Sequence, residues 1–179
     1  MAVQAVELRL SKISQIFNSL DPTPFPERDL DNDAVDFIVG WAEEHPSSAS
    51  LVLIVHLPES ERGAVAKVDV QDSVNIYFTH LYGVERRRLR GLFRQGRISL
   101  VIGIAVLILC NLASEGLAAV FKGPFASAML DGLIIFGWVI NWRPAQIFLY
   151  DWWPVHRLMK LYERLSRMPV EIKFHPAAA

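Results

Sequence analysis

Seventeen consecutive residues from Ile98 to Ser114 carry no charge, and after an interval holding Glu115 and Lys122 the stretch from Gly123 to Trp142 carries only Asp131. Two apolar stretches of about 20 residues match a hydrocarbon core roughly 30 Å thick. A buried helical hairpin in a water-soluble protein is the alternative. It would need enough additional apolar surface to cover two helices that are apolar all round, and a chain of 179 residues has little to spare. The expected arrangement is a transmembrane hairpin.

The charge pattern around the hairpin is lopsided. Residues 1–84 hold 5 basic and 13 acidic side chains, net −8, whereas residues 85–97 hold six Arg and one Glu, net +5. Arg86, Arg87, Arg88, Arg90, Arg94 and Arg97 precede the first stretch, Arg143 and Arg157 follow the second, and only Lys122 lies between them. Basic residues at span ends mark the cytoplasmic side, so both termini are expected in the cytoplasm with a short external turn at residues 121–124. The start of the chain, MAVQAVELRLSK, does not read as a signal peptide. Trp142, Arg143, Tyr150, Trp152 and Trp153 cluster after the second stretch, where amphipathic rings anchor at the headgroup layer. Pro144 is expected to end or kink that span, leaving AQIFLYDWW either at the interface or as a continuation of the span.

The remaining sequence reads as one small cytoplasmic α/β domain interrupted by the hairpin. Val6–Leu10 (VELRL) alternates apolar and charged residues like a half-buried strand. Asp21–Pro26 (DPTPFP) suits only an extended connector. Asp31, Asn32 or Asp33 can cap a helix reaching Glu44, with Val35, Ile38, Val39 and Trp41 or Ala42 facing the core. Ser50–Leu57 (SLVLIVHL) reads as a strand buried on both faces. From Asp69 or Asp72 a helix should run without a clear stop into the first apolar stretch. A third helix starts near Pro154, with Val155, Leu158, Met159, Tyr162 and Leu165 apolar. Val170–Phe174 (VEIKF) repeats the pattern of VELRL, which predicts both strands in one sheet, paired with each other, beneath three helices on one face.

The segments QIFNSLDPTPFPERDLDNDAVDFIVGWAEE and WRPAQIFLYDWWP, with the following RMPVEIK, carry a resemblance. Together with the Arg-rich entry to the first span, they are similar to a group of uncharacterised small bacterial two-span inner-membrane proteins. The resemblance spans nearly the whole chain. It implies the two-span topology and a bacterial inner membrane, and it implies no activity.

Motifs that carry chemistry are scarce. Asp29, Asp31, Asp33 and Asp36 alternate like calcium ligands, but an EF-hand loop starting at Asp29 would need Gly and Glu where Ala34 and Gly40 stand. Their expected role is to complement the dipole of the following helix. His45, His56, His80, His156 and His175 show no metal-site spacing and read as surface or strand-end residues. No GxGxxG, P-loop or GxSxG occurs, and a single cysteine, Cys110, excludes an internal disulfide framework. Neither a cofactor nor a catalytic or metal site is expected, and the balanced overall charge gives no case for nucleic acid. Within the spans Asn111, Glu115 and Asp131 are the polar groups of interest. Glu115 lies about 26 Å along the helix from Ile98, near the outer interface. The pairs Ser99/Gly103 and Ala128/Gly132 permit close helix packing, within the hairpin or between subunits.

The sequence thus predicts an α+β membrane protein in the order β-α-β-α-TM-TM-α-β: residues 1–97 cytoplasmic, 98–142 the hairpin, and 143–179 an interfacial segment, helix and strand completing the domain. Function is expected to be non-enzymatic, a self-associating scaffold or accessory subunit. Anionic lipid headgroups would meet the six Arg, and a second copy or another membrane protein would serve as lateral partner. The alternative is a homo-oligomeric ion channel or pore gated by the cytoplasmic domain, with Asp131 or Glu115 ringing its mouth and Asn111 bonding between helices.

Overall fold

A computed structural model describes residues 3–21, 28–65, 69–120 and 122–176, and it is mixed α and β. Most of the DPTPFP connector expected from the sequence lies outside the described residues. The chain forms two compact units, one from Met1–Glu85 with Arg157–Ala179 and the other from Arg86–His156.

The first unit begins with strand β1 (Val3–Arg9) and a single 3-10 turn at Ile13–Ile16. Helix α1 (Asn32–Glu43) starts where Asp31 accepts the Asp33 amide at 3.0 Å, which satisfies an otherwise unpaired N–H and places a carboxylate at the positive end of the helix. The helix stops at His45, whose ring stacks on Trp41 and meets its carbonyl oxygen at 2.8 Å. Strand β2 (Ser50–Pro58) follows, then the one-turn helix α2 (Arg62–Val65). Helix α3 (Val70–Val120) is 51 residues long and is opened by Asp69, whose carboxylate accepts the Asp72 amide at 3.0 Å. It runs without a break into the first apolar stretch, as the missing stop signal predicts. Strand β3 (Val170–His175) closes the unit.

The three strands are parallel in the order β1-β2-β3, with Val6 opposite Leu53 and Val55 opposite Ile172. This corrects the pairing expected from the matching VELRL and VEIKF patterns. Both strands are in one sheet, but each pairs with β2 and not with the other. The reason is burial: β2 carries apolar side chains on both faces and needs a neighbour on each edge, whereas β1 and β3 alternate apolar and charged residues and suit the edges.

Two crossovers of constant hand that step across a parallel sheet in one direction place their helices on the same face. The core accordingly forms on one side only. Val6, Leu53, Val55 and Leu57 of the sheet are buried with Val35 and Ile38 of α1, Val74 and Phe78 of α3, and Leu161 and Leu165 from the helix before β3. Burial, reinforced by nearby carboxylates, holds the phenols of Tyr77 and Tyr162 at the rim of this core above the usual tyrosine range. The Gln71 side chain clamps the core's edge, donating to the Met168 carbonyl at 3.0 Å and accepting the Val170 amide at 2.7 Å. The opposite face of the sheet presents Glu7, Arg9, Glu171 and Lys173, all exposed, around the buried Ile54 and His56 of β2.

The second unit holds the rest of α3, helix α4 (Pro124–Ile140), the short helix α5 (Trp142–Gln146), a π-helical turn at Ile147–Asp151 and the first residues of α6 (Trp152–Leu165). Pro144 sits in the first turn of α5, where its missing N–H costs nothing, and the chain continues as helix beyond it.

Phe78 is fully buried and contacts Tyr162 across the core with ring centroids 6.2 Å apart. Phe78→Ala is expected to lower stability by about 3–5 kcal/mol, and Asp31→Ala by about 1 kcal/mol through loss of the cap. Chemical denaturation of the detergent-solubilised protein followed by circular dichroism measures both.

Candidate functional site

Two places in the structure carry features beyond folding: the surface of the helical unit, and a cleft at the ends of the strands.

Among the described residues, 20 of the 24 large apolar side chains that remain exposed fall between Ile98 and Trp153. Val101, Leu109, Leu112 and Val120 on α3 and Phe125, Trp138 and Val139 on α4 are each at least 60% exposed. An apolar surface on this scale exceeds what a water-soluble monomer leaves uncovered. From Ile98 to Val120 the helix rises about 34 Å, enough for a hydrocarbon core, while α4 alone rises about 26 Å. The sequence places the six Arg at one end of this belt. On a helix advancing about 100° per residue, Arg86, Arg87, Arg90, Arg94 and Arg97 fall within an arc of about 100°, and Arg88 lies apart. All six are exposed, and the five on the arc have no ion pair among the described residues. Outside that arc the same segment carries Leu89, Leu92 and Phe93, half-buried, and the buried Gly96.

The expected anchors divide. Trp142, Tyr150 and Trp153 are about two-thirds exposed. Trp152 is half-buried near Phe93 and donates its indole N–H to the Phe148 carbonyl at 2.9 Å, within the π-helical turn. Arg143 pairs with Asp151 at 3.1 Å. Glu115 and Asp131 are exposed on the two helices.

Within this unit α3 meets α4 and the π-helical turn along a seam of small residues. Gly96, Gly103 and Cys110 recur at intervals of seven and are buried, with Ser114 buried on the same line. A Cβ on Gly103 would stand 2.5 Å from Asn141 Oδ1, and one on Gly137 would stand 3.2 Å from Cys110 Cβ and 3.3 Å from Leu107 Cα. Asn141 donates to the Gly103 carbonyl on α3 and the Gly137 carbonyl on α4, each at 3.0 Å. The interhelical side-chain bond within the chain is thus made by Asn141. The Asn111 amide turns back to the Leu107 carbonyl of its own helix at 2.8 Å. Of the small-residue pairs read from the sequence, Gly103 is at the seam, whereas a Cβ on Gly132 would meet nothing within 4 Å. Gly137 and Asn141 escape a reading of the sequence because neither forms a small-xxx-small pair with a partner on its own helix.

The second place is a cleft of about 440 Å³ at the carboxyl ends of all three strands, lined by Arg9, Leu10, Ser11, His56, Leu57, Pro58, His175 and Pro176. His56, near the carboxyl end of β2, is 8% exposed and so is not a surface residue, and His175 ends β3 as an exposed residue. His56 Nε2 lies 3.2 Å from Glu7 Oε2, and His56 Nδ1 lies 2.5 Å from His175 Nε2. The two rings are close to parallel, 15° apart. Diagonal neighbours on the open sheet face thus converge: His56 reaches back to Glu7 on β1 and forward to His175 on β3. The alternation of each strand could have placed all three on one face; their adjacency depends on a parallel register that three separate segments do not disclose.

Replacing Gly103 or Gly137 by Leu is expected to separate α3 from α4 and abolish cooperative thermal unfolding in detergent, whereas Gly132→Leu leaves it unchanged. Asn141→Leu should cost about 0.6–1.7 kcal/mol, the range of interhelical hydrogen bonds in membranes. No protein-family model matches the chain, and comparison with characterised proteins and with solved structures finds no significant relative.

Proposed function

We propose that this chain is an integral protein of the bacterial inner membrane, a non-enzymatic, self-associating scaffold or accessory subunit in which a helical hairpin anchors a small cytoplasmic α/β unit. One observation carries the proposal: a belt of exposed apolar side chains on α3 and α4, bounded at one end by an arc of five arginines without ion pairs among the described residues. Water would not tolerate the belt, and the arginines suit the anionic phosphates of a cytoplasmic leaflet. Both termini then lie in the cytoplasm, with residues near 122–124 outside. Lateral partners, a second copy or another membrane protein, follow from packing, since two spans bury few of each other's faces.

The pore alternative has less support. A conduction path needs polar groups converging along a span. Here Asn111 donates one amide N–H to the Leu107 carbonyl of its own helix, and Asn141 donates to the Gly103 and Gly137 carbonyls within the hairpin.

Topology is tested by labelling with a membrane-impermeant maleimide in a Cys110→Ala background. Lys122→Cys should react in intact spheroplasts and Ser48→Cys only after lysis; the reverse pattern would refute the orientation, and equal reaction of both would refute the membrane reading. Replacing Arg87, Arg90, Arg94 and Arg97 by Gln should release co-purifying anionic lipid in native mass spectra, and unchanged lipid retention would refute headgroup binding. The same spectra report subunit number.

A further inference from the structure

The cleft at the carboxyl ends of the strands holds two imidazoles whose ring nitrogens converge, a buried one backed by a carboxylate and an exposed one at its edge. We propose that His56 and His175 form a binding site for a borderline divalent cation such as Zn²⁺, with Glu7 fixing the ring of His56.

The protonation pattern follows from the contacts. An ionised Glu7 carboxylate only accepts, so His56 Nε2 carries the hydrogen and His56 Nδ1 presents its lone pair toward His175 Nε2. A carboxylate behind a histidine that turns the other ring nitrogen outward is the outer-shell arrangement of metal-binding histidines. His56 is held in place on three sides, by burial, by Glu7 and by its central strand. His175 is exposed at the end of β3 and is followed by Pro176, so it is the ligand that adjusts. Tetrahedral coordination at about 2.0–2.1 Å separates two nitrogen ligands by about 3.3 Å. The present 2.5 Å therefore has to open by about 0.8 Å. The two nitrogens now face each other head-on in nearly parallel rings, so the exposed His175 ring also has to turn to aim its lone pair at the metal.

Among the described residues no three His, Cys, Asp or Glu side chains surround one point, so the protein supplies two ligands and leaves positions open toward the cleft. Arg9 lines the same cleft and has no ion pair among the described residues. It is placed to hold an anionic co-ligand, a carboxylate or phosphate, that completes the coordination shell.

The test is isothermal titration of the full chain in detergent, stripped with chelator and freed of any affinity tag, with ZnCl₂ alone. One saturable site per chain is expected, accompanied by a rise in thermal midpoint. His175→Ala, at an exposed position that leaves the core intact, should abolish both. Glu7→Gln should weaken binding about 10-fold to 100-fold, as outer-shell substitutions do, and His80→Ala should leave binding unchanged. Absence of saturable binding by the unsubstituted protein would overturn the proposal and leave the two rings as a hydrogen-bonded pair. Retention of full affinity in His175→Ala, or its loss in His80→Ala, would place the metal elsewhere and overturn it equally.

Discussion

The architecture depends on the requirement that β3 pair with β2 in parallel after an excursion of about 110 residues. Parallel neighbours need a crossover that carries the chain from the carboxyl end of one strand back to the amino end of the next, and here that crossover contains α2 to α6. The helices that leave and return also do the covering: Val70, Val74 and Phe78 at the start of α3, with Leu161 and Leu165 at the end of α6, lie in the core above β2. The connection between two strands is thus the same structure that buries them.

One-sided covering has a chemical consequence on the other face. A central parallel strand is ordinarily shielded above and below by helices, yet Ile54 and His56 lie on the face away from the helical core, between side chains of β1 and β3. For Ile54 the stems of charged neighbours suffice. An imidazole is harder to bury, because each ring nitrogen loses water and needs a partner. Glu7 and His175 supply those partners, so the polar chain across the face answers a burial problem before it serves any ligand. The charges on the edge strands, Glu7 and Arg9 on one side and Glu171 and Lys173 on the other, also discourage further strand addition.

Much of this is legible in the sequence, for identifiable reasons. The strand periods, a cap among Asp31, Asn32 and Asp33, and the unbroken passage of α3 follow from local pattern. They depend on residues close together in the chain. The matching of β1 with β3 misleads because identical alternation shows which face a strand presents and says nothing about its neighbour. What decides the order is the double-sided burial of β2, a property of the strand between them. The cleft is illegible for a related reason. Glu7, His56 and His175 are 49 and 119 residues apart in their two contacts, and no spacing rule spans a register.

The helical hairpin shows the same limit at shorter range. Asn111, toward the end of an apolar stretch, draws attention as a polar group needing a partner, but an asparagine within a helix can donate to the carbonyl four residues back, and it does. Asn141 sits where α4 ends and α5 begins. There its side chain can serve its own helix and still reach across to Gly103, whose missing Cβ leaves the carbonyl open. Close approach therefore requires a glycine on one helix and a donor near the end of the other. The sequence signals for helix packing register only the first half of that arrangement, and the second half becomes visible once the ends of the helices are fixed.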